Sequence, residues 1–272
     1  MSRHDLTDVE FNAIRVYLPS QNTGSRGRPW QDHRRLINGI LWILATGSPW
    51  RDLPSEFGKW QTVYGRFRRW LQSGLWDRIF SRLLHRLEKL GAIDRSLWCV
   101  DGSVIRAHRS ASGGSKQTPE NDLKNALGRS QGGYSTKLHI LTDRIGNVLS
   151  VTATPGQSHE SKEFENLFQK SPLSLHRIAS RPDSVAGDKG YSSGAIRRWL
   201  KHRKIKDVIP TKKNEKRNKS FAKNLYKRRH IVECTIGWLK ESRRIATRFD
   251  KLIETYLCFV KIKAIRWMAN AI

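Results

Sequence analysis

The sequence predicts an all-helical first part followed by an α/β second part, in which a mixed sheet is covered by helices on both faces. Three observations carry this. From Leu6 to about Leu90 apolar residues recur at helical spacing between turn signals, and after Gly91 short runs rich in Val, Ile, Leu and Thr alternate with helical stretches. Two of those runs are joined by a hairpin-type turn. A chain of 272 residues is long enough for two such parts, each with its own core, so a division into 1–90 and 91–272 is expected.

In the first part the helical stretches are LTDVEFNAIRVYL, DHRRLINGILWILATG, KWQTVYGRFRRWLQSG and LWDRIFSRLLHRLEKL. The loop SQNTGSRGRP separates the first two, and GSPWRDLP, with prolines near both ends, separates the second from the third. Within the third, Trp60, Tyr64, Phe67 and Leu71 repeat at helical spacing and predict the core face. Thr62, Arg66 and Arg69 then point the other way. That makes Trp60 to Ser73 either the recognition helix of a helix-turn-helix-like unit or a basic solvated face.

In the second part SLWCVDGSVIRAH, YSTKLHILTD, NVLSVTATP, DSVAGD and KDVIP read as strands. The segment DRIGN between the second and third predicts an antiparallel pair. Helices are expected at SKEFENLFQK and SGAIRRWLKH, then a long closing helical stretch from about Lys223. Ser110 to Gly133 and Lys212 to Lys223 are poor in large apolar groups and are expected to be mobile until an anion binds them.

Lys and Arg total 51 against 24 Asp and Glu, a formal net charge of +27, so the expected partner is a polyanion. The basic residues run along the whole chain rather than along one amphipathic helix, which favours nucleic acid over a membrane surface. Cys99, Cys234 and Cys258 form no Cys-x-x-Cys pair and read as core thiols of a reducing compartment. MSRHDLTDVEF lacks the apolar run of a signal peptide, and a cytoplasmic protein is expected.

Asp101 carries a carboxylate into the middle of an apolar strand and is followed by Gly102; by itself it reads equally as an Asp-Gly turn or bulge. Asp188 repeats the arrangement at the end of a short strand, between Gly187 and Gly190. Two strands delivering carboxylates to one edge suit a hard divalent cation such as Mg²⁺. In NLYKRRHIVECTIGWLKESRR a continuous helix would put Tyr226, Arg229, Glu233 and Lys240 within an arc of about 60°. Ile231, Val232, Trp238 and Leu239 would occupy the opposite face. The competing account of that polar face is a solvated helix with an Arg229–Glu233 ion pair.

Strand Asp, later strand Asp and helix Glu stand in the order found in the bacterial insertion-sequence DDE transposases, and the chain resembles the insertion-sequence-five family of that group. The family's Tyr-x2-Arg-x3-Glu-x6-Lys signature is matched at every spacing by Tyr226, Arg229, Glu233 and Lys240. TPGQSHES around His159, GDKGY around Asp188, and INGILWILATGSPWRDLPSEFGKWQTVYGRFRRW in the helical part are also similar to the family. The resemblance implies a ribonuclease H-like catalytic domain with Asp101, Asp188 and Glu233 as catalytic residues and metal ligands. Only 44 residues lie between Asp188 and Glu233, which leaves no room for the large inserted domain of some relatives.

What the resemblance implies chemically is a pair of Mg²⁺ ions about 3.5–4 Å apart, with Mn²⁺ as a substitute, Asp101 bridging and Asp188 and Glu233 each completing one side. Hydrolysis would free the 3′ ends of the element at its terminal inverted repeats, and those ends would attack target DNA by transesterification. Arg229 and Lys240 would contact phosphates, with Tyr226 against sugar or base. His159 either touches the scissile phosphate or caps its loop. A homodimer or larger synaptic assembly on double-stranded DNA is expected, in the bacterial cytoplasm at the nucleoid. The rival readings are a ribonuclease H-like nuclease or resolvase that never joins strands, and a catalytically inert DNA-binding regulator.

Overall fold

The computed structural model describes residues 4–21, 31–112, 125–130, 132–173, 175, 180–215 and 221–272. The four helices expected in the first part form as α1 (Asp8–Arg15), α2 (His33–Thr46), α3 (Trp60–Gln72) and α4 (Leu75–Lys89). Local chemistry sets their ends. Thr7 and Glu10 close a reciprocal capping box on α1. Asp32 accepts from the N–H groups of Arg34 and Arg35 at the start of α2, and Gly47 ends that helix at a left-handed φ of 71°. Most of the SQNTGSRGRP loop, at 22–30, lies outside the described residues.

On α3 the expected faces are corrected. The buried stripe is Val63, Arg66, Phe67 and Trp70, whereas Tyr64 is exposed and Trp60 and Leu71 are only partly buried. Trp70 decides the rotation. Its ring meets Trp76 of α4 at 5.6 Å and His33 of α2 at 5.3 Å, both edge-on, and the Arg66 guanidinium lies 5.6 Å over it.

The expected strands form as β1 (Trp98–Ala107), β3 (Gly133–Asp143), β4 (Val148–Pro155), β5 (Ser184–Ala186) and β6 (Lys206–Val208), with a short β2 (Gly128–Ser130). Helices α5 (Phe164–Gln169) and α6 (Gly194–His202) lie between them. Along the sheet the order is β4–β3–β1–β5–β6, with β4, β3 and β1 antiparallel and β1, β5 and β6 parallel. This is a mixed sheet flanked by helices, the ribonuclease H-like arrangement that the resemblance implies. Asp143 shapes the β3–β4 hairpin by accepting from the N–H groups of Ile145 and Asn147, with Gly146 at φ 95°. Of the two stretches expected to be mobile, 113–124, 131 and 216–220 lie outside the described residues.

The long closing helix is also corrected. The chain breaks it into α7 (Lys223–Lys227), α8 (His230–Lys240), α9 (Arg243–Ala246), a strand β7 (Thr247–Arg248) parallel to the end of β1, and α10 (Ile253–Asn270). Around Arg228 and Arg229 the backbone switches to three-residue bonds, and Arg248 is buried, donating to the carbonyls of Asn125, Asp250 and Lys251. Helix α10 packs on α4 and α1, and Arg266 on it pairs with buried Glu10 at 2.8 Å, so the apolar core runs past residue 91 without a break. Among the described residues no helix is long and apolar enough to cross a membrane.

Candidate active site

Strand alternation puts Cys99, Asp101 and Ser103 on one face of β1 and Val100 and Gly102 on the other. Helix α8 lies against the first face, anchored by buried Val232, Thr235, Ile236 and Leu239. Ile231 and Trp238 pack partly against the same core, as the amphipathic pattern predicts, while Cys234 is exposed rather than a core thiol.

Two bonds tie α8 and its N-terminal cap residue to the strand. The Arg229 guanidinium donates to Asp101 at 3.2 Å and also pairs with Glu233, and Lys240 donates to the Ser103 hydroxyl at 2.8 Å. Tyr226 belongs to α7, not to the same helix as Glu233, so the single 60° arc does not exist. The break nevertheless keeps Tyr226 close, with the Arg229 guanidinium 5.7 Å over its ring. The Asp101 side chain is 15% exposed and that of Glu233 51%, so Arg229 links a half-buried carboxylate to a solvated one.

Beyond Cys99 and Ala186 the pairing of β1 with β5 ends, and the two strands part. Asp188 stands just past the end of β5, where its Oδ1 accepts from the Gly190 N–H at 2.8 Å and caps the 3-10 turn Lys189–Tyr191. Burial pushes the Asp101 carboxyl up to about 6; the Gly102 N–H and Arg229 oppose burial, and Asp188 and Glu160 reinforce it. Carboxylates therefore gather where burial disfavours their charge, and a cation is needed there. In this arrangement Arg229 supplies it, and its guanidinium is held above its ordinary value because Asp101 and Glu233 outweigh the effect of burial.

Three further groups at the cleft were not singled out by the sequence. Glu160, at the start of the 3-10 turn Glu160–Glu163, pairs with Lys137 of β3 at 3.4 Å. Tyr191 is fully buried behind Asp188. The sequence signal for a close approach there is confined to Gly187 and Gly190 beside Asp188. His159 is exposed and caps the turn that holds Glu160, its Nδ1 lying 2.7 Å from the Ser161 hydroxyl and accepting from the Ser161 N–H.

The donor set suits a hard divalent cation, because carboxylates from two parting strands face a cleft where burial disfavours unpaired negative charge. Among the described residues no three His, Cys, Asp or Glu groups already converge to hold a metal ion. Glu233 would have to exchange Arg229 for the cation. In the helical part Thr62 is partly buried and Arg69 exposed, whereas Arg66 is 4% exposed with its guanidinium 5.6 Å over the Trp70 ring, which takes it off the expected DNA-facing side. Arg66→Met should lower the melting temperature and leave the salt dependence of DNA binding unchanged. Arg69→Met should reduce the log–log slope by about one if Arg69 meets a phosphate, as a salt titration would read.

A family model described as "Putative transposase of IS4/5 family" matches residues 6–80, and one described as "Transposase DDE domain" matches residues 93–260, more than half the chain. A protein named for insertion element IS402 of Burkholderia cepacia is 42% identical over 112 residues, 39% of this chain and 76% of that protein. The "Putative transposase for insertion sequence element IS6501" of Brucella ovis is 30% identical over 137 residues, 49% of this chain and 98% of that protein. A solved Mos1 mariner paired-end complex with Mn aligns over 96% of this chain and 88% of that chain at 12% identity, with a TM-score of 0.31, too low to equate the folds. With its α/β part matched almost end to end, the chain belongs to the DDE transposases, a family of enzymes.

Proposed function

We propose that this chain binds the ends of an insertion sequence, cleaves DNA there by metal-dependent phosphodiester hydrolysis, and joins the freed 3′ ends to target DNA by transesterification. The observation that carries this reading is the Arg229 bridge. A residue of the family signature spans from the helix bearing Glu233 to Asp101 on β1, at the cleft where Asp188 also stands. Asp101, Asp188 and Glu233 are the residues that would hold divalent cations, Mg²⁺ or Mn²⁺. When bound, such ions activate a water or a 3′-hydroxyl and stabilise the leaving oxygen.

The chain's own groups then have separate tasks. Arg229, once released from the carboxylates, and Lys240, anchored through Ser103, are placed to neutralise phosphate, and Tyr226 offers a ring beside them for sugar or base. The net charge of +27 supplies the long-range attraction to DNA. The helical part serves as the DNA-binding unit with Arg69 and Thr62 as its contacts, and synapsis of two ends requires at least a dimer.

The test is incubation of purified protein with labelled DNA bearing the element ends and Mg²⁺, beside Asp188→Asn. The wild type should nick at the end and yield a donor end covalently linked to target, and Asp188→Asn should do neither. Equal nicking by both proteins would sink the assignment, and cleavage that never gives a joined product would identify a nuclease.

A further inference from the structure

Glu160 reaches the cleft from the side of the sheet opposite α8. Added Cβ atoms mark the path. One on Gly102 would lie 3.1 Å from the Glu160 carboxylate, and one on Gly190 would lie 3.1 Å from Glu160 Oε2 and 2.9 Å from Asp188 Oδ1. The Glu160 carboxylate thus lies over both glycines at once, beside Asp188 and next to the residue that follows Asp101. It is held there by a partly buried pairing with Lys137 at 3.4 Å, whose ammonium also donates to the Ser158 carbonyl at 2.9 Å.

A second feature points independently to a ligand at the same place. Tyr191 is 1% exposed, and its hydroxyl has no hydrogen-bond partner among the described residues. A phenol buried without a partner is destabilising, because its hydroxyl gives up water and gains no bond in return. Its ring is wedged against Gly187 and 6.1 Å from Phe164, so it cannot simply swing to solvent. Its hydroxyl is thus a buried polar group left open in the turn that Asp188 caps.

We propose that Glu160 is a fourth acidic group of the centre, a ligand to a divalent cation together with Asp101 and Asp188, and that the Tyr191 hydroxyl donates to the oxygen-rich shell of that cation. This rests on the metal-dependent reading above and deepens it. Two carboxylates come from the parting strands β1 and β5, Glu233 comes from one face of the sheet, and Glu160 comes from the other. Lys137 holds Glu160 and Arg229 holds Asp101, so both carboxylates would exchange these partners for a bound cation. A methyl at either Gly102 or Gly190 would crowd the Glu160 carboxylate, at 3.1 Å in both cases.

The test measures Mn²⁺ binding to the DNA-free full chain by electron paramagnetic resonance, with the metal-free melting temperature as a check on folding. Asp101→Asn is the reference variant for the centre itself. Glu160→Gln, which keeps shape and removes charge, should weaken Mn²⁺ by on the order of tenfold or more at an unchanged or higher metal-free melting temperature. Glu160→Asp, which keeps the charge but shortens its reach, should fall between the two, and Tyr191→Phe should weaken binding by a few-fold. If Asp101→Asn abolishes binding while Glu160→Gln and Glu160→Asp bind as the wild type does, this proposal is overturned and the three-carboxylate centre stands. If neither Asp101→Asn nor Glu160→Gln changes binding, both readings fall.

Discussion

Asp101→Asn is expected to lower metal-dependent strand cleavage by at least about 10³-fold and at the same time to raise the melting temperature of the metal-free protein at pH 8. The two effects have one cause. Burial pushes the Asp101 carboxyl up to about 6 from an ordinary value of 3.8, so in the folded protein its charged form is disfavoured relative to the unfolded chain. A tenfold change in proton affinity corresponds to about 1.4 kcal/mol, so the net penalty at pH 8, with the attraction of Arg229 already included, is about 2–3 kcal/mol. Because the folded value lies above the unfolded one, the group binds protons more tightly when folded. Its contribution to stability is complete below about pH 4 and is lost as the pH rises through 6. Asparagine titrates nowhere, so the stability gained by the variant should be absent at pH 4 and full above pH 7. Melting curves of both proteins from pH 4 to 8 read this directly. A constant difference across that range would mean that Asp101 is not held in an unfavourable charged state.

That trade of stability for charge explains why the site was only partly legible in the sequence. Asp101 stands out because a carboxylate sits badly inside an apolar strand and Asp188 because it ends one, and each is flanked by glycine. Glu233 and Arg229 were visible through spacing, but the helix assumed for that spacing breaks at Arg228 and Arg229, which a one-dimensional pattern of 100° steps does not reveal. Glu160 and Tyr191 were hidden for a different reason. Their relation to the aspartates is created by the parting of β1 and β5 and by turns from both faces of the sheet, with nearly 60 residues of chain between Asp101 and Glu160. The fold itself was more readable, since caps, hairpin chemistry and apolar periodicity act locally. On α3 the stripe of Trp60, Tyr64, Phe67 and Leu71 expected from spacing gives way to Val63, Arg66, Phe67 and Trp70. The deciding contact was Trp70 with Trp76 and His33, which depends on how α2, α3 and α4 cross.

Arg229→Gln should have opposite effects on two steps: tighter Mn²⁺ binding to the DNA-free protein by a few-fold, and slower cleavage of end DNA by on the order of 10²-fold. In the structure Arg229 is 14% exposed and neutralises both Asp101 and Glu233, so it occupies the electrostatic role that a divalent cation would take over. Removing its charge while keeping its length frees Glu233 and takes away a cation that competes for Asp101, which favours metal. The same charge, once displaced toward the DNA, is what would meet the phosphate at the cut, and glutamine cannot replace it there. The Tyr226 ring, with the guanidinium 5.7 Å above it, would also lose its partner, loosening α7 against α8. Arg229→Lys separates charge from geometry: it should restore part of the cleavage but not the two-carboxylate bridge, because a lysine ammonium lacks the planar fork that reaches Asp101 and Glu233 together. Parallel measurement of Mn²⁺ affinity and single-turnover cleavage decides the point. If Arg229→Gln loses metal affinity and cleavage together, Arg229 supports the carboxylates rather than competing for them, and its release on metal binding is wrong.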